Sequence, residues 1–286
     1  MRKGVGMFNS PIFKRFIKRK VSVVGSVILL IFVLMATIGP FMCTMDPLQQ
    51  DYSQINQMPS AEHICGTDYL GRDVFTRIVY GARTSLALSF SGVLCGAVIG
   101  IVLGVCAGYF GKLVDTIISR LIDILLAFPS LLLAIVIIAI LGNGLANTAA
   151  AIAIFSVPSL ARMTRGVVIA LRNSEYISAC KVMGASNLHI VVCHIIPNAI
   201  SQIIVNVTLN LGTAILTSSS LSFLGLGVQP PTPEWGSMLN KAMDVIRIQP
   251  WSAIFPGLAI TLVVMSFSLV GDGLRDALDP KLKNRG

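Results

Sequence analysis

Six stretches of this chain are each apolar for about 20 residues or more, the length a helix needs to cross a bilayer. They are residues 21–42, 84–108, 116–141, 145–170, 195–221 and 253–271 of 286. A chain with so many such stretches cannot bury them all in a soluble core. In hydrocarbon every backbone N–H and C=O must be satisfied within the protein, so closely spaced apolar runs of this length have to be helices. The composition agrees: charged residues make up 12%, against about 25% in soluble domains, and mean hydropathy is +0.80. The expected fold class is an all-α membrane protein with six transmembrane helices.

A net charge of +9 could suggest a nucleic-acid partner. The distribution of the charge excludes that reading. With the N-terminus inside and six crossings, 17 of the 22 Lys and Arg face one side. Arg72, Arg77, Arg83, Lys241 and Arg247 face the other. This bias is the signature of a basic cytoplasmic surface. It places both termini in the cytoplasm and implies contact with the lipid bilayer, not with nucleic acid. Residues 1–20 form a basic cytoplasmic tail and 21–42 the first span, read as uncleaved because its apolar core exceeds that of a signal peptide. Residues 43–83 form an extracytoplasmic loop. Residues 84–272 form a core of five helices that holds a cytoplasmic loop at 174–194, and 273–286 a second tail.

Little in the sequence carries catalytic chemistry. No G-x-x-x-x-G-K-[ST] phosphate cradle occurs, and no nucleophile triad is spaced for catalysis. Six cysteines and three histidines (His63, His189, His194) lack metal-ligand spacing. Cys43 and Cys65 share the outer side and are expected to remain thiols.

Four features are informative. At 174–198, a short helix starting at Glu175 is interrupted at Gly184; a second is expected over 185–192, and a new span at Pro197. Gly92, Gly96, Gly100, Gly104 and Gly108 form a ladder at every fourth position. Each step drifts about 40° on a helix of 3.6 residues per turn, so the ladder is expected to touch more than one neighbour. Asn198, Gln202, Asn206, Asn210, Thr213 and Thr217 share one face of the fifth span. Polar groups at that depth either line a path or bond between helices. In the outer loop, Asp68, Arg72 and Asp73 can pair among themselves. They either meet a substrate or receptor, or hold a folded cap. Pro129 is expected to kink the third span, and Trp235 to sit at the membrane interface.

The 174–198 segment resembles the coupling loop of importer-type ABC transporter permeases. Glu175, Ala179, Gly184, Ile195 and Pro197 stand at that family's spacing, with Cys180 at its second alanine and Ala185 following the glycine. G-T-D-Y-L-G-R-D-V-F-T-R-I-V-Y-G-A-R-T-S-L (66–86), R-L-I-D-I-L-L-A-F-P (120–129), S-L-S-F-L-G-L-G-V-Q-P-P-T-P-E-W-G (220–236) and G-D-G-L-R-D-A-L-D-P (271–280) resemble the dipeptide/oligopeptide/nickel branch. Ser268 departs from it, where the family usually has asparagine.

The resemblance implies a type I ABC importer permease fold with cytoplasmic coupling helices. It implies a role in moving di- or oligopeptides or glutathione, with a nickel chelate as the alternative, across a bacterial inner membrane. It implies a second, related permease as heterodimer partner, an extracytoplasmic substrate-binding protein, and two ATPase subunits that hold the ATP and Mg. No cofactor is then bound by this chain, which is not itself an enzyme. Coupling falls to Glu175, Ala179, Cys180, Gly184 and Ala185. A carrier or channel acting alone would place carboxylates at mid-membrane, and every Asp and Glu here maps to loops or span ends.

Overall fold

A computed structural model describes residues 11–278, so the outer parts of the two expected tails lie outside the described residues. Among the described residues the chain is helical, without strands beyond one isolated bridge between Thr67 and Asp73. The helices are α1 (Pro11–Lys18), α2 (Lys20–Thr37), α3 (Gly39–Met42), α4 (Val74–Phe110), α5 (Lys112–Leu126), α6 (Ser130–Leu141), α7 (Leu145–Arg172), α8 (Glu175–Val182), α9 (Asn187–Ile190), α10 (Ile196–Phe223), α11 (Trp235–Ala242) and α12 (Trp251–Leu278).

Five helical segments are long and apolar enough to span: α2, α4, α7, the stretch Asn187–Phe223, and α12. The sixth crossing is α5 with α6, bent by 91°. A mild kink was expected at Pro129; the structure has a full break. The pyrrolidine ring removes an N–H and drives the preceding Phe128 out of helical geometry. With 12 residues, α6 alone reaches about 18 Å at 1.5 Å per residue, short of the roughly 30 Å hydrocarbon core. Chain direction still requires a crossing there. The helices α4 and α7 run parallel, Gly92 against Ile152 and Gly108 against Val168, so the chain must return between them.

The two ends of the described chain meet. Arg19 pairs with Asp276, and its guanidinium donates to the Asp272 carbonyl at 3.1 Å. The contact puts both ends on one side, as an even number of crossings requires.

The outer loop ends ten residues earlier than expected, because α4 begins at Val74. Asp73 caps it, accepting from the Thr76 N–H at 2.7 Å, which satisfies one of the orphan donors at a helix start. With 37 residues, α4 is about 55 Å long and stands well proud of any bilayer.

The glycine ladder meets a single neighbour, not several. A Cβ on Gly92, Gly96, Gly100, Gly104 or Gly108 would lie 2.6–3.0 Å from atoms of α7. The drift of a four-residue repeat follows one partner if that partner wraps in the right-handed sense, because four exceeds 3.6. The parallel pair α4–α7 is therefore zipped backbone to backbone. A second core beside it gathers Phe32, Leu88, Ile215, Trp235, Val263 and Phe267.

Gly96→Ala places a methyl carbon 2.6 Å from the Ala153 carbonyl oxygen and is expected to cost about 1–3 kcal/mol. Gly166→Ala, where nothing lies within 4 Å, is expected to be neutral or to gain up to about 1 kcal/mol. Thermal unfolding in detergent separates them; equal midpoints would dismiss the zipper.

Candidate functional site: an anchored knob, an open polar face and a cap

The knob begins where expected. Ser174 is extended and α8 starts at Glu175, although the Ser174 hydroxyl donates back to the Leu171 carbonyl (2.5 Å) and does not cap. Its end is a glycine-closed turn. Gly184 has φ +82°, a region that costs other residues. The Gly184 N–H donates to Lys181 O and the Ala185 N–H to Cys180 O, both at 3.0 Å. These two bonds form the Schellman arrangement, with Ala185 and Cys180 as its apolar pair. The residues expected to carry coupling thus divide. Glu175, Ala179 and Gly184 face outward, while Cys180 and Ala185 pack inward.

The second expected helix of the knob is not a separate element. Ser186 caps the four-residue α9, which continues through a π turn, Val191–Ile195, into α10. In that turn the Ile196 N–H donates to Val191 O, five residues back. Pro197 cannot donate to the chain before it, and the widened turn accommodates its ring without ending the helix.

Beneath the knob, Ile177, Ile190 and Ile195 are fully buried against Val105, Tyr109 and Val168. The Tyr109 hydroxyl donates to Asn187 Oδ1 at 2.8 Å, and the Lys181 ammonium lies 5.7 Å from the Tyr109 ring centroid. Above it, Tyr176, Val182, Met183 and Leu188 are exposed. A small protrusion that buries three isoleucines and exposes four large apolar side chains is anchored below and available above.

Among the described residues, the six polar side chains of this face of α10 make no bond to another helix, whereas Ser218, on a buried side of α10, meets the Ser89 hydroxyl of α4 at 3.3 Å. The amides of Asn198, Asn206 and Asn210 donate to their own helix, at His194 O (2.5 Å), Gln202 O (2.9 Å) and Asn206 O (2.8 Å). The Thr213 hydroxyl donates to Asn210 O at 2.9 Å. Gln202 and Thr217 also lie on the open side. Of the two readings of this face, bonding between helices of this chain finds no support.

At the other end, residues 43–73 fold into a cap. Asp68 accepts from the Arg72 guanidinium at 2.7 and 2.8 Å, with Arg77 Nε 3.6 Å away. Asp73 does not join that cluster. Its Oδ1 lies 3.0 Å from His63 Nδ1 while its Oδ2 caps α4. The Gln249 amide reaches across to the carbonyls of Gln57 (2.9 Å) and Thr67. Asp68, Arg72 and Asp73 are all buried, so their polar atoms are engaged inside the cap. Trp235, expected at an interface, is fully buried. Its indole N–H donates to Ile78 O at 3.0 Å, and its ring meets Phe32 edge-on at 5.7 Å. Gly81 makes the room: a Cβ there would lie 2.9 Å from the indole. Cys43 and Cys65 are free thiols, and burial pushes Cys65 up to about 11.

Residues 100–284 match the model of the binding-protein-dependent transport system inner membrane component, and residues 10–59 that of the N-terminal transmembrane domain of oligopeptide transport permease C. The chain belongs to the binding-protein-dependent transport permeases. This permease is 50% identical over 272 residues to the dipeptide transport system permease protein DppC of Alkalihalophilus pseudofirmus, covering 95% of this chain and 90% of that one. It is 46% identical over 273 residues to the glutathione transport system permease protein GsiD of Pectobacterium atrosepticum, covering 95% and 91%. Among solved structures its fold is similar to an inward-facing MetNI methionine ABC transporter, with TM-score 0.58 and 21% identity over 71% of this chain and 96% of that one.

Sequence reading missed three groups in this permease. The Tyr109–Asn187 clamp left one trace, an aromatic directly after the last glycine of the ladder. Gln249 and Glu234 left less, since only folding brings them under the cap. Glu234 is fully buried at the start of α11, where it accepts from the Ser237 N–H (2.8 Å) and the Ser85 hydroxyl (3.3 Å).

Burial raises the Glu234 carboxyl, and the bonds it accepts only partly offset this. The folded permease then holds that proton to higher pH than the unfolded chain does. The group's contribution to stability is full below the usual value of 4.5 and is lost as pH rises through the raised one. The stability of wild type relative to Glu234→Gln is therefore expected to fall as pH rises above the usual value of 4.5. Paired thermal unfolding checks this; a constant difference would contradict it.

Proposed function

We propose that this chain is one of two permease subunits of an ATP-driven bacterial importer of di- or oligopeptides or glutathione. The observation that carries the reading is the knob, anchored by Ile177, Ile190 and Ile195 and presenting four apolar side chains outward. An apolar patch on a polar, basic end of a membrane protein calls for a protein partner. A cleft on a separate ATPase subunit fits that need, and ATP and Mg would be held there. The positive-inside bias supports a cytoplasmic knob end, with both termini on that side. The cap then faces the receptor that delivers substrate.

Force has a defined route. A pull on α8 acts through Ile177 and Tyr109 on α4 and α7, which the glycines hold as one body. A pull on α9 acts on α10 with no loop between them. The polar face of α10, Asn198 to Thr217, would line the path, facing a related but distinct second permease. Alternating access then needs only that the ATPases bind the two arrangements of the bundle unequally. Substrate class rests on the dipeptide and glutathione relatives. Asp68, Arg72, Asp73 and Trp235 would shape the receptor-side cap from within.

Gly184→Pro and Glu175→Lys are each expected to cut ATP-dependent uptake at least about ten-fold, the factor carried by 1.4 kcal/mol, while insertion and assembly persist. Gly184→Ala places a side chain at φ +82°, a strain of about 1–2 kcal/mol, and is expected to fall between these variants and wild type. Uptake by reconstituted complexes, with and without ATP, checks this. Peptide movement by this chain without nucleotide or partners would sink the reading.

A further inference from the structure

The polar face of α10 does not end at the membrane surface. Near the knob end it opens into a cleft of about 450 Å³ between α7, α10 and α12, within the range of small-molecule sites. Ser201, Gln202 and Asn206 line it from α10, Met163 from α7 and Arg275 from α12. No acidic side chain lines it.

Arg275 stands apart from its neighbours. At the same end, Arg19 pairs with Asp276, Arg162 with Asp123 and Arg165 with Asp115. Arg275 has no such carboxylate among the described residues, and the nearby Asp276 is turned to Arg19. A guanidinium is a planar fork that matches a carboxylate with two parallel bonds. Beside it, the Gln202 and Asn206 amides and the Ser201 hydroxyl offer further donors and acceptors. A cation without a counter-ion among the described residues, next to amides, in a cleft of this size, selects a small anion with amide groups.

We propose that Arg275 is a substrate-specifying residue, binding the C-terminal carboxylate of a peptide in an inner subsite formed with Gln202 and Asn206. The inference rests on the peptide-import reading and adds the group that recognises charge. In the outward-to-inward cycle the subsite holds the peptide's anionic end as the path opens toward the cytoplasm.

The test uses the purified complex of both permeases and both ATPases, without nucleotide or receptor, carrying Met163→Cys, at a position that lines the cleft from α7 without belonging to the proposed subsite. Maleimide labelling is followed at that residue by mass spectrometry. Alanyl-alanine is expected to slow labelling, and alanyl-alanine amide to leave it unchanged. Adding Arg275→Gln is expected to raise the half-protecting concentration of the free acid at least about ten-fold, the factor one charge-assisted hydrogen bond carries. Arg275→Lys is expected to lie between. Equal protection by acid and amide in the Arg275 protein overturns the proposal without any further variant, and so does undiminished protection in Arg275→Gln. Phosphatidylglycerol that slows labelling through Arg275 where the dipeptide does not would assign the residue to lipid headgroups, which also overturns it. The import reading fails separately, if the unmodified complex with receptor and ATP takes up no peptide.

Discussion

The close approach of α4 to α7 is the constraint on which the rest depends. Within a bilayer, apolar side chains gain little by leaving lipid for protein, so helices hold together by packing and by short backbone contacts. Five glycines on α4 remove the side chains that would keep the two backbones apart, and residues 149–168 of α7 fill the space. Two parallel helices thereby become one rigid body. The return between them is made by α5 and α6, a crossing broken by 91°. The knob lies across one end of this body and the cap closes the other. Each end inherits its geometry from the zipped pair.

The knob shows how a small element acquires a firm hold. At eight residues, α8 is too short to be stable alone. Its stability comes from Ile177, buried beneath it, from the Lys181 ammonium near Tyr109, and from the two backbone bonds that close the turn at Gly184. The same tyrosine holds Asn187, the first residue of the helix that continues into α10. One side chain at the end of the zipped pair thus touches both halves of the knob. Close-packed interiors transmit displacement instead of absorbing it, so movement of the knob reaches α4, α7 and α10 together.

Sequence patterns carried the spans, the position of α8 and the turn at Gly184, because length, hydropathy and a positive φ are local demands. They carried the polar face of α10 for the same reason: a step of three and four residues is visible in one dimension. What they could not carry depends on partners distant in sequence. That all five ladder glycines face α7 follows from how two helices wrap. That Pro129 breaks its span is a choice between kink and break made by the fold around it. Trp235 reads as an interfacial residue until Gly81, 154 positions earlier, is seen to make room for it. Asp68, Arg72 and Asp73 look like a surface cluster in sequence, yet are buried in the fold, Asp68 on Arg72 and Asp73 on His63.

The two polar regions of the molecule behave in opposite ways, and the contrast bears on its assembly. In the cap, Asp68, Arg72 and Asp73 are buried and each has a partner, as burial of charge demands. Along α10, among the described residues, the six amide and hydroxyl side chains of one face bond to no other helix, and four of them bond to their own. An isolated polar face of that length against lipid is costly. A chain that satisfies its cap but leaves this face of its fifth span open calls for water or another protein's polar groups beside it. The broken α5–α6 crossing points the same way. Several α6 side chains, Leu132, Val136 and Ile140 among them, stay exposed in the isolated chain, and only lipid or a neighbouring protein can cover them.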